Sequence, residues 1–299
     1  MFVPKIFYLS GNLTQVFGGS VVAMAYRLDG IQCNVTSCDT FCITETSELY
    51  EIADILLAKT YTQAMHMNLP LSNGITFNFL GNMHGVKETF VYCEALILAQ
   101  LAQCNQWQLN DIELAQLGTM VLMDIDDQLF VLYELIVMLT YLHSGADLVY
   151  LNCFTLEIKP IELLRNHQIS IVQIPCVDAF DLSAASQYVK HGLSAFANLS
   201  IFIQIQALAQ IHRSEFDEYR SYLTNEEIDA VNYVIEENEL SRAIGAHGQL
   251  DSNVLINYLL KRQKIPFYCH KEKLVNTLDS SCFIVNAKYI YCLSWKPQK

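Results

Sequence analysis

Three sets of residues in this chain could do chemistry. Asp126 and Asp127, with Gln128 beside them, put two carboxylates and an amide into one turn. Neighbouring carboxylates that are buried together can share a proton and serve as an acid–base pair. The same two residues also suit the cap and first turn of a helix, where a carboxylate meets unpaired amides and the positive end of the helix dipole. Cys38 and Cys42, in NVTSCDTFC, offer two nucleophilic thiols four residues apart. His247, in GAHG, is a candidate acid–base or hydrogen-bonding residue. The other histidines, at 66, 84, 143, 167, 191, 212 and 270, lack ligand spacing such as HxxxH, and the ten cysteines contain no CxxC pair. No metal site and no cofactor site is therefore expected, and most thiols read as small buried hydrophobes.

The element that must position the acidic turn runs from 118 to 153. It reads as a strand over 119–125, the Asp126-Asp127 turn, a helix over 128–143, a Ser-Gly stop and a second strand over 148–151. Within 129–142 only Glu134 is charged, which leaves no solvent-facing stripe, so the helix is expected to be buried. It is too short to span a bilayer, which takes about 20 apolar residues. A buried helix between buried strands implies layers of helix and sheet.

Before this element the sequence predicts a strand over 5–10, a small-residue helix over 18–28, an irregular Thr/Ser/Cys-rich stretch over 29–48, a helix over 47–67, a strand over 75–80 and a helix over 89–103. After it come a strand over 169–174, a β-like run over 197–205, a segment at 227–236 that suits strand or helix, a helix over 251–262, and strands over 273–277 and 283–293. Strands alternating with helices predict an α/β fold, and two similar halves, 1–206 and 207–299, suggest an internal duplication within one compact body.

Composition limits the partners. The chain has 299 residues, 52% of them hydrophobic, enough for a deep core. A formal charge of −13, with 18 scattered Lys and Arg, argues against nucleic acid, which needs a basic face. The N-terminus lacks the cationic start and long apolar run of a secretory signal, so a cytoplasmic location with no membrane span is expected. Only 16% of residues are charged and the mean hydropathy is positive, which predicts a large protein interface.

The order of these elements resembles the thiolase-type condensing enzymes, the β-ketoacyl synthases. The run 120–125, the helix over 128–143 and SGADLVYLNC resemble the strand, nucleophile-bearing helix and following strand of that family. KIFYLSGNL and ITFNFLGNMHGVKET resemble its first strand and Gly-rich loop, and RAIGAHGQLDSNVLINYLLKRQKIP and LVNTLDSSCFIVNAKYIYCL its closing segments. The resemblance implies a duplicated, layered αβαβα fold.

It also implies lost catalysis. Asp126 and Asp127 stand where the nucleophilic Cys belongs, and a carboxylate cannot carry out thioester exchange. VIEEN, at 234–238, has no His, and His247 is the one family position retained. This pattern is similar to the chain-length-factor branch: a noncatalytic subunit of a type II polyketide pathway, aryl-polyene or fatty-acid-like, paired with an active ketosynthase and reaching acyl carrier protein through that complex. The strand over 119–125 would pair with the partner's edge. Met120, Met123, Asp126, Gln128, Phe130 and Tyr133 would line the interface or close the acyl tunnel, each being also an ordinary core residue. An active synthase or acyl transferase using Cys38 or Cys42 is the enzymatic alternative, and a stand-alone binding module a third.

Overall fold

The computed structural model describes residues 1–11, 14–45, 47, 49–71, 74–81, 85–126, 131–164, 167–175, 225–262, 281–285 and 289–297. Their contacts divide into two units. One comprises Met1–Ile6 and Ala25–Gly145, the other Phe7–Met24 and Ala146–Lys299, so strands β1 (Phe2–Ser10) and β2 (Ser20–Cys38) contribute residues to both.

In the first unit β4 (Gly74–Leu80) lies between β2 and the short β3 (Cys42–Ile43). It runs antiparallel to β2, with Cys38 opposite Gly74 and Gln32 opposite Leu80, and parallel to β3. Four helices complete this unit: α1 (Tyr50–His66), α2 (Val86–Asn105), α3 (Asp111–Met123) and α4 (Leu132–Ser144). The core includes Leu96, Ile97, Leu98 and Leu101 of α2 and Phe77 and Phe79 of β4, none of which has exposed surface. Burial of each such side chain contributes roughly 1.5–3 kcal/mol.

The second unit carries the sheet order β2-β5-β6-β8, with β5 (Leu148–Asn152) antiparallel to both β2 and β6 (Glu157–Leu164), and β6 parallel to β8 (Gln249–Asp251). Helices α5 (Asn225–Gly245) and α6 (Ser252–Arg262) belong to it. So does an antiparallel three-stranded sheet in which β10 (Tyr289–Pro297) lies between β7 (His167–Pro175) and β9 (Ser281–Val285).

The expected strand over 119–125 is the last part of helix α3. Asn110 starts that helix with a reciprocal cap: its Oδ1 accepts from the amides of Ile112 and Glu113, each at 3.0 Å, while Glu113 Oε2 accepts from the Asn110 amide at 2.8 Å. Gly118 stands at the helix contact, where an added Cβ would lie 2.6 Å from Leu98 Cδ1 and 3.0 Å from Leu135 Cδ1. Close packing and the cap therefore override the strand-like run TMVLM. With no strand there, the expected partner-pairing edge does not exist.

The predicted helix over 18–28 is instead the start of β2. Val21, Val22 and Ala23 are all buried, so no alternation marked the strand, and its small residues imitated a helix face. The open choice at 227–236 resolves to helix α5. The predicted β-like run at 197–205 and strand at 273–277 lie outside the described residues. A mixed sheet with mostly antiparallel pairing replaces the duplicated, layered arrangement expected for a thiolase-like chain. Among the described residues no helix is long and apolar enough to cross a membrane.

Candidate functional site

Of the expected acidic turn, Asp126 is described, and it follows a helix instead of a strand. Asp124 closes α3 and pairs through its carboxylate with Lys59 of α1. The Asp126 amide donates to the Leu122 carbonyl at 3.0 Å, one last helical bond, and its side chain is exposed. Asp127, Gln128 and Phe130 lie outside the described residues. Met120 and Met123, expected on a strand that closed a tunnel, lie on the exposed face of α3, at 45% and 42% exposure, and Tyr133 is half-buried in the first turn of α4.

Charged groups gather where α2 and α4 begin. Asp111, at the start of α3, meets His143, at the end of α4, which sets these two helices antiparallel. Gly85 precedes α2 in an extended conformation (φ −137°, ψ 139°) and brings no side-chain oxygen to the first amides of the helix. Burial pushes the Glu134 carboxyl up, and the positive charge of Lys87 partly offsets this. Burial likewise raises the Tyr92 phenol, and the carboxylates of Glu88, Asp29 and Glu134 add to the rise. The Tyr92 oxygen accepts from the Ile6 amide at 2.6 Å. Lys5, buried, sits 3.9 Å from Asp29, and Glu88 Oε2 is buried without a hydrogen-bond partner. Two ammonium groups, three carboxylates and a helix start can together hold an anion with a balancing cation. Sequence reading passed over this set because its members come from four elements. One signal was available: Lys87-Glu88 two residues after Gly85, in the sequence GNMHGVKE.

The thiols are placed differently from the synthase expectation. Cys38 ends β2 and Cys42 opens β3, both half-buried. Neither stands at a strand-to-helix turn, where a helix dipole would activate a nucleophile for acyl transfer.

In the second unit α5 turns polar residues inward. Glu237 accepts from the Gly11 amide at 2.5 Å, Asn238 Oδ1 from the Ser20 amide at 2.7 Å, and the Ser241 hydroxyl lies 2.7 Å from that of Ser10. Glu237 and Ser241 have no exposed surface. These three residues fasten the connection between β1 and β2 at both ends. VIEEN, notable in the sequence for its missing His, is in fact this clamp. His247, just beyond α5, is half-buried with its ring 6.4 Å from that of Tyr258. The structure does not bring His247, the thiols and the acidic turn together within either unit.

No protein-family model matches the chain, and no curated protein is similar to it in sequence. Solved structures are. Galactokinase of Lactococcus lactis, complexed with galactose, is 14% identical; the match covers 98% of this chain and 84% of that one, with a TM-score of 0.66. Phosphomevalonate kinase of Streptococcus pneumoniae is 12% identical over 99% of this chain and 91% of that one, with a TM-score of 0.55. These identities show the fold alone. They correct the resemblance drawn from motif order: the chain is not built like a β-ketoacyl synthase, and the chain-length-factor role, the Cys38 or Cys42 synthase alternative, the ketosynthase partner and the acyl carrier protein lose their basis with that fold. This chain shares its mixed-sheet α/β fold with those two structures.

Proposed function

We propose that the chain is a small-molecule kinase that transfers the terminal phosphoryl group of a nucleoside triphosphate to a hydroxyl of a small polyol, such as a sugar. The observation that carries this reading is the likeness to galactokinase along nearly the whole chain. Phosphoryl transfer asks a protein mainly to position its reactants and to balance charge. In this reading the first amides of α2 and the Lys87 ammonium take the phosphates. Asp126 or Asp127 accepts the proton of the attacking hydroxyl, a role for which an exposed carboxylate beyond α3 is chemically suited.

A divalent cation fits this set. Among the described residues no three His, Cys, Asp or Glu side chains gather to hold a metal by themselves. Magnesium, however, is commonly held by one or two carboxylates together with the phosphates and water. Glu88, with its buried and unpartnered Oε2 in the first turn of α2, is the carboxylate available there. When bound, the ion would neutralise charge on the phosphates.

Glu88 also favours a second reading, a ligand-binding protein that does not phosphorylate. Without an intervening cation its carboxylate repels a triphosphate at the helix start. The test is calorimetric titration with ATP, with and without magnesium, followed by assay of ADP release with galactose and a panel of sugars and polyols. Magnesium-dependent ATP binding with hydroxyl-dependent ADP release supports the kinase. Sugar binding without ATP binding selects the second reading.

A further inference from the structure

We propose that Cys38 and Cys42 form a redox-active dithiol that closes to a disulfide when the protein meets a hydroperoxide. This inference is independent of the kinase reading, and it starts from the path of the chain. Cys38 and Cys42 lie on strands at opposite sides of β4, and the turn between them crosses over the beginning of that strand. Gly74 makes the crossing possible, since a Cβ there would meet the Thr40 nitrogen and the Asp39 carbonyl carbon. Phe41, in the turn, packs against Tyr61 of α1 with ring centroids 5.4 Å apart, which holds the turn down.

The two sulfurs converge on one hydroxyl. Thr76 Oγ1, on β4, donates to Cys38 Sγ at 3.1 Å and lies 3.2 Å from Cys42 Sγ. The separation of the sulfurs therefore cannot exceed the sum of those two distances. The hydrogen bond from Thr76 is the largest influence and lowers the Cys38 thiol below its ordinary value; Thr40 and Cys42 add to this, while desolvation and the charge of Asp39 oppose it. Three other thiols provide the contrast. Burial pushes Cys33 up to about 12 and raises Cys93 and Cys104. A thiolate is the reactive form, so oxidation is directed to Cys38.

The chemistry balances. The Cys38 thiolate attacks one peroxide oxygen, a sulfur–oxygen bond forms, the oxygen–oxygen bond breaks, and the departing oxygen takes a proton. Cys42 sulfur then attacks Cys38 sulfur. The sulfur–sulfur bond forms, the sulfur–oxygen bond breaks, and hydroxide leaves as water with the Cys42 proton. With hydrogen peroxide, two thiols lose two electrons and two protons, and two waters form.

The test treats the full chain with hydrogen peroxide and maps its peptides by mass spectrometry under non-reducing conditions. A linked Cys38–Cys42 peptide, reversed by dithiothreitol and formed about tenfold faster than sulfenic labelling at Cys104, is the expected result. In Cys42→Ser, dimedone should trap a sulfenic acid at Cys38. Cys38→Ser should leave Cys42 unmodified. Oxidation of Cys38 no faster than of Cys104, or linkage of Cys38 to any other thiol, overturns the proposal, and the native chain alone decides this.

Discussion

Thr60 Oγ1 on α1 lies 3.0 Å from each carboxyl oxygen of Glu94 on α2 and 2.8 Å from the Leu56 carbonyl, with both side chains free of solvent exposure. Burial pushes the Glu94 carboxyl up to about 8, against a partial lowering by Thr60. A protonated Glu94 can donate to Thr60, whose own proton then goes to Leu56. The neutral pair thus satisfies each of its groups inside an apolar layer.

The pH dependence follows from that pair. Between about 4.5, the ordinary value, and about 8 the folded chain holds a proton that the unfolded chain has lost. The stability contribution is complete below the lower value and declines as pH rises through this window, by on the order of 5 kcal/mol in all. Urea denaturation between pH 5 and 8.5 should show the decline in the native chain and its absence in Glu94→Gln. Equal slopes would mean that Glu94 is charged in the fold.

The His143–Asp111 pair responds in a different way. Their Nδ1 and Oδ1 atoms are 2.5 Å apart, and hydrogen bonding to Asp111 raises the imidazole above its ordinary value. The raised group stabilises the fold below the ordinary histidine range, and that contribution is lost as pH rises through the shifted value. An NMR titration of His143 should move to lower pH in Asp111→Asn; an unchanged midpoint would sink the assignment.

Gly245 should tolerate no side chain. A Cβ there would collide with the Tyr150 ring, 2.6 Å from its Cγ, and that ring is buried with its hydroxyl 3.1 Å from Ser20 Oγ. Gly245→Ala is expected to cost about 1–3 kcal/mol in thermal or chemical unfolding. Gly248→Ala, with nothing within 4 Å, is the control and should be close to neutral.

Glu237 should matter as an acceptor. Its carboxylate takes the buried Gly11 amide, so Glu237→Ala leaves that donor unsatisfied and should destabilise by roughly 1–3 kcal/mol. Glu237→Gln keeps an acceptor oxygen and should lose less. Equal losses in chemical denaturation would show that charge, not the hydrogen bond, is what the site needs.

The kinase reading makes a kinetic prediction. Asp126→Asn or Asp127→Asn, whichever carboxylate takes the hydroxyl proton, should lower kcat by about 100-fold or more with little change in KM for ATP. Asp124→Asn, which only frees Lys59, should leave kcat nearly intact. Full activity in both of the first two variants would remove the acidic turn from the mechanism.

Several elements were legible because local chemistry agreed with the fold. The strands at 5–10, 75–80, 148–151 and 169–174 and the helices at 47–67 and 89–103 are present with small shifts at their ends. The Ser144-Gly145 stop is a left-handed Gly145 cap with φ 64°. The capping box at Asn110-x-x-Glu113 was also legible, and reading it would have turned the strand expected at 119–125 into a helix.

The sequence by itself determined the apolar character of 129–142, the adjacent carboxylates at 126 and 127, the glycines flanking the segment before α2 and the excess of acidic over basic residues, because each depends on residue type alone. Only the tertiary structure decided that TMVLM is helix, that SVVAMA is strand, that Lys87 lies near Glu134, and that two thiols meet at Thr76. A run buried on every side loses the alternation that separates helix from strand, so its state is set by what packs against it. Sites assembled from four elements have no spacing along the chain to read.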